Sequence, residues 1–105
     1  MENLHQLQDR LGKGFYVDNF YEMASLCKSL ALGSTSPVPF FVMQHVFLGI
    51  AKNWEDRPLP VEEAKLVENK MMEPLIHLVK AISLNASNET IYNILDNIVA
   101  TYLTA

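Results

Sequence analysis

The sequence predicts an all-α protein, an up-and-down four-helix bundle with an additional short N-terminal helix. Three observations carry that prediction. Apolar residues recur at the spacing of one helix face in successive stretches of the chain. No run alternates apolar and polar residues between turn residues, and neither Asn-Gly nor Asp-Gly, the common hairpin turns, occurs. The third is the segment from Pro37 to Trp54, which is apolar around most of its circumference and therefore has to be surrounded.

The first helix is short. Leu4, Leu7 and Leu11 form a narrow stripe that Gly12-Lys13-Gly14 breaks, because two glycines so close together are costly inside a helix. Such a piece can pack as a lid, swap onto a neighbour or fray. The second helix begins between Phe15 and Asp18 and ends at Gly33, where a glycine can adopt the left-handed conformation that closes helices. Tyr16, Phe20, Met23, Ala24, Cys27, Leu30 and Ala31 make its apolar face, opposite Asp18, Glu22, Ser25, Lys28 and Ser29. The link Ser34-Thr35-Ser36 follows, with Ser36 as N-cap and Pro37 at the first helical position, where a missing N–H costs nothing.

In the third helix Phe40, Met43, Val46, Phe47, Ile50, Ala51 and Trp54 fill a wide arc, and Phe41 and Leu48 open a second stripe. Gln44 separates the two, and His45 and Lys52 flank the narrower one. The prolines of Glu55-Asp56-Arg57-Pro58-Leu59-Pro60 stop this helix. A fourth helical segment enters at Pro60, with Glu62 and Glu63 at the positive end of its dipole, and runs to about Leu84. Pro74 removes the bond to the Lys70 carbonyl, which predicts a kink or break. Ser87 caps the last helix, whose apolar face is Ile91, Ile94, Leu95, Ile98, Val99 and Tyr102. Short links between successive helices favour antiparallel neighbours.

The 105 residues, about half of them apolar, predict a single helical domain over 1–105. A chain of this size buries about 65% of its unfolded surface without a disulfide staple. Cys27 is the only cysteine, so no internal disulfide forms and a reducing compartment is the easier home. The polar start Met1-Glu2-Asn3-Leu4-His5-Gln6 lacks the pattern of a secretory signal, and the apolar third helix is interrupted by Gln44 and His45. These features predict a cytoplasmic protein without a membrane span. Twelve acidic against eight basic residues give a net charge of −4, which repels phosphate backbones and excludes nucleic acid as a partner. Two glycosylation-type triplets, Asn85-Ala86-Ser87 and Asn88-Glu89-Thr90, matter only in a secreted chain and read as residues that start a helix.

No catalytic signature stands out. Paired Glu-x-x-His motifs, which hold metals in helical bundles, do not occur; His5 with Asp9 and Glu73 with His77 are four apart and read as solvated pairs. No motif calls for a metal or cofactor. Gly12-Lys13-Gly14 lacks the rest of a phosphate loop. Cys27 has no basic neighbour on its apolar arc to support a thiolate and reads as core. The two odd positions are His45, polar within the most apolar helix, and Glu68, which the helical wheel places among Val61, Ala64, Met72 and Leu75 on the face expected to be buried. A buried carboxylate must find a cation or hydrogen-bond donors, or take up a proton.

The surplus of apolar surface on the third helix, without catalytic grouping, predicts a protein that acts by protein–protein interaction. The expected form is a homodimer, with Phe41, Gln44, His45, Leu48 and Lys52 at the interface. The alternative is a binder of an apolar small molecule or cofactor between helices, with Glu68 or His45 as polar anchor. Two further readings are an enzyme using Glu68 as acid or base near His45 or His77, and an acidic surface that meets a basic partner protein.

Overall fold

A computed structural model describes residues 2–13, 17–55, 62, 70 and 72–104, and the described residues form helices and turns without a strand. The helices are α1 (Glu2–Leu11), α2 (Val17–Leu32), α3 (Val38–Glu55), α4 (Glu73–Ser83) and α5 (Asn88–Thr104). Glu62 is also helical, and Lys70 and Met72 lie in a wider, π-type turn that leads into α4. Pro74 falls in the first turn of α4, where a missing N–H is cheapest. The expected stretch from Pro60 towards Pro74 otherwise lies outside the described residues.

The α2–α3 pair is the centre of the molecule. Phe20 and Phe47 are buried between them with ring centroids 6.0 Å apart and planes tilted by 41°, within the favourable range for aromatic pairs. The Tyr21 hydroxyl, near the start of α2, donates to Glu55 Oε2 at the last residue of α3 over 2.7 Å, so the two helices run antiparallel. Most of both arcs expected from the periodicity is interior, Phe20, Met23, Ala24 and Cys27 on α2 and Phe40, Met43, Val46, Phe47, Ile50 and Ala51 on α3, while Leu30 and Ala31 are half-buried against the core and Tyr16 and the Trp54 side chain lie outside what is described. Asp18, Glu22, Ser25, Lys28 and Ser29 are exposed, as the wheel requires.

Leu4 and Leu7 of α1 belong to the same buried cluster, and α1 packs on both α2 and α4. In this structure α1 is therefore part of the core. Leu75, Leu78, Val79 and Ala81 carry α4 into that core, and Ile94, Leu95 and Ile98 carry α5. Val99, expected on the apolar face of α5, is exposed together with Tyr92. The two are seven residues apart on one flank, whereas α5 meets α4 and α3 through the face of Ile94, Leu95 and Ile98.

The helix ends depart from expectation in instructive ways. Gly33 is not in the left-handed region, and a Cβ there would meet only Ser29 O at 3.6 Å, so α2 ends without needing a glycine. The left-handed residue is Asn85, with φ 55°. Its N–H donates to Ile82 O at 3.1 Å and that of Ala86 donates to Ala81 O at 3.0 Å, the two bonds of a Schellman closure at the end of α4. Asparagine is the residue after glycine best suited to that conformation. At α3 the first helical bond runs from Phe41 N to Pro37 O at 2.9 Å, so Pro37 and not Ser36 occupies the cap position, while Ser36 N donates to Ser34 Oγ at 3.0 Å. Ser87 does cap α5: its Oγ accepts from Thr90 N at 3.2 Å and lies 3.0 Å from Thr90 Oγ1.

Candidate functional site

The face of α3 that turns away from α2 is built by heptad spacing. Val38, Phe41, His45, Leu48 and Lys52 recur at steps of three and four and so form one stripe, about 21 Å long at the rise of a helix. Phe41 is 64% exposed, an unusual state for a phenylalanine on a helix that is otherwise packed in the core. Val38 is also exposed, a position the sequence reading passed over although it lies one turn before Phe41. Leu48 is half-buried and packs against the core, Gln44 is half-buried, and His45 and Lys52 are exposed. The two-stripe pattern of the sequence thus separates into a buried arc and a face whose most exposed apolar residue is Phe41.

The remaining polar candidates are dispersed. His5 and Asp9 are exposed on α1, and Glu73 and His77 are exposed on α4. Among the described residues no three metal-ligating side chains converge. Glu68 lies outside the described residues. Cys27 is fully interior, and burial pushes its thiol up from 9.0 to about 12, so it is a protonated core side chain at neutral pH.

That burial has a signed consequence. Between pH 9.0 and about 12 the unfolded thiol ionises while the folded one does not, so the folded state holds more protons and its stability falls with rising pH. The slope from this group approaches about 1.4 kcal/mol per pH unit within the window. Below pH 9.0 the contribution is constant. The expected result is that the stability difference between the native chain and Cys27→Ala, measured by urea titration, is flat from pH 6 to 8 and shrinks above pH 9.0. A difference that stays constant into strong alkali would contradict the burial of the thiol.

Two clefts indent the described surface. One, of about 550 Å³, lies between the end of α1 and α4, with Leu11, Ile76, Val79 and Leu84 in its mainly apolar wall. The other, of about 560 Å³, lies where the α2–α3 and α4–α5 turns come together. His45 lines neither of them. Among the described residues no helix is long and apolar enough to cross a membrane. No protein-family model matches the chain, and no curated protein or solved structure matches it either.

Proposed function

We propose that this chain acts by protein–protein interaction as a cytoplasmic homodimer, joined through Phe41, Gln44, His45, Leu48 and Lys52 of α3. The observation that carries the reading is Phe41, an aromatic side chain left 64% exposed on a heptad-spaced stripe. Exposed aromatics of this kind commonly anchor interfaces, because they bury a large area at little conformational cost. A self-pairing surface also suits this stretch electrostatically. Two copies that each carry a net charge of −4 repel where acidic residues face each other, and no aspartate or glutamate lies between Ser29 and Asn53.

The architecture that goes with this reading is an up-and-down four-helix bundle with α1 added to it and a kink at Pro74. The antiparallel α2–α3 pair, the tight α4–α5 turn and the π-type turn before α4 support that arrangement. The acidic balance argues against nucleic acid as the partner. The ligand-binding alternative gains nothing from His45, which faces neither cleft.

Light scattering tests the dimer. The native chain is expected at about twice 11.9 kDa, and Phe41→Glu with Leu48→Glu is expected at 11.9 kDa with its helical content retained. A monomeric mass for the native chain at high concentration removes the homodimer.

A further inference from the structure

The α2–α3 and α4–α5 turns frame the cleft of about 560 Å³, a volume within the roughly 300–1,000 Å³ usual for small-molecule sites. Its polar wall contains Asn3, Ser29, Ser34, Thr35 and Asn85, all uncharged. Carbon from Leu30, Phe40 and Ile82 completes the lining. Along the two turns the neutrality extends past the wall: no Asp, Glu, Lys or Arg occurs from Ser29 to Ala51 or from Ala81 to Asn88, and the nearest charges in sequence are Glu2 before Asn3 and Lys28 before Ser29. An ion entering here would shed water without finding a counter-charge. A neutral group rich in hydroxyls would exchange its water bonds for bonds to three hydroxyls and two carboxamides.

Two exposed apolar side chains adjoin that wall along the chain, and one of them, Leu84, itself lines the apolar α1–α4 cleft. Leu32 and Leu84 are 80% and 70% exposed, the most exposed large apolar residues among those described. Each precedes a residue of the wall, Gly33 on one turn and Asn85 on the other. We propose that this end of the molecule binds a neutral amphiphile, with a hydroxyl-bearing headgroup in the cleft and an alkyl chain laid over Leu32 and Leu84. The site uses neither Phe41 nor Leu48, so it stands or falls separately from the dimer.

Octyl glucoside, kept below its micelle-forming concentration and titrated into isotope-labelled protein, tests it by the movement of backbone amide signals. Saturable shifts at Asn3, Gly33, Ser34, Thr35 and Asn85 are expected. Octyl sulfate, with the same chain and a charged head, should bind at least about tenfold more weakly, because its charge is desolvated without a partner. The double variant Leu32→Ser with Leu84→Ser, both at exposed positions, should weaken octyl glucoside by about tenfold while leaving the response to glucose alone unchanged. Absence of saturable shifts, shifts confined to the α1–α4 cleft with none at the polar wall, octyl sulfate binding as tightly, or a double variant of native affinity would each overturn the proposal.

Discussion

Leu7→Ala is expected to destabilise the protein by about 3 kcal/mol, the cost of emptying a leucine site inside a packed core. Leu7 is 0% exposed and belongs to the cluster formed by α2, α3, α4 and α5, although it sits on a ten-residue helix at the start of the chain. An isolated helix of that length is marginal in water, so the stability of α1 has to come from the surfaces it covers on α2 and α4. A loss of this size should lower the melting temperature by roughly 10–20 °C in a chain this short. Urea titration of Leu7→Ala beside His5→Ala, at an exposed position of the same helix, separates the alternatives. If α1 were a fraying lid, both substitutions would cost less than about 0.5 kcal/mol.

What α1 does shows where sequence reading stops. Leu4, Leu7 and Leu11 are visible as a stripe, but a stripe of three leucines is equally consistent with a lid, a swapped arm or a core helix. The difference lies in the partner surface, which is assembled from residues far along the chain. For the buried sides of α2 and α3 the pattern itself was sufficient, because both apolar arcs are wide enough to demand a partner, and on α2 the opposite face is charged or polar. The turn chemistry was less legible. A glycine suggests a left-handed closure, yet Gly33 ends α2 outside that region, and the closure that needs it uses Asn85, a residue whose tolerance for positive φ is weaker as a signal. Ser87 was readable as a cap because its hydroxyl acts on a neighbour three residues away.

The same reasoning applies to the candidate surface. Periodicity separates Phe41 from the buried arc of α3, since that requires only the angle between side chains on one helix. Whether a second stripe is covered depends on how many neighbours surround the helix, and among the described helices α3 packs mainly on α2 and more lightly on α5. The neutral cleft escaped the sequence reading for a related reason. Its wall joins two turns distant in sequence, and serines, threonines and asparagines in turns carry no pattern that announces they face one another.

Asn19 was missed altogether, and substituting it should have the second large effect. It is 1% exposed, and its Nδ2 donates to Arg10 O at 2.9 Å, so a side chain in the first turns of α2 adds a second bond to a carbonyl near the end of α1 that also accepts from Lys13 N at 3.1 Å. The Asn19 bond ties the end of α1 to the start of α2. Asn19→Ala removes the donor and leaves space behind it, for an expected cost of about 2 kcal/mol. Asn19→Asp is the sharper experiment, because it keeps the shape but sets a carboxylate against a carbonyl oxygen in a buried site. Burial raises the folded-state value of such a group above the ordinary carboxylate value of about 3.9. Stability of that variant is then greatest below the unfolded value and is lost as pH rises through the folded one, because the protonated acid donates to Arg10 O and the anion cannot. Urea midpoints of Asn19→Asp, referred to those of the native chain, should therefore recover between pH 7 and pH 4. A difference that does not change over that range would show that the Asn19 donor is not what holds α1 in place.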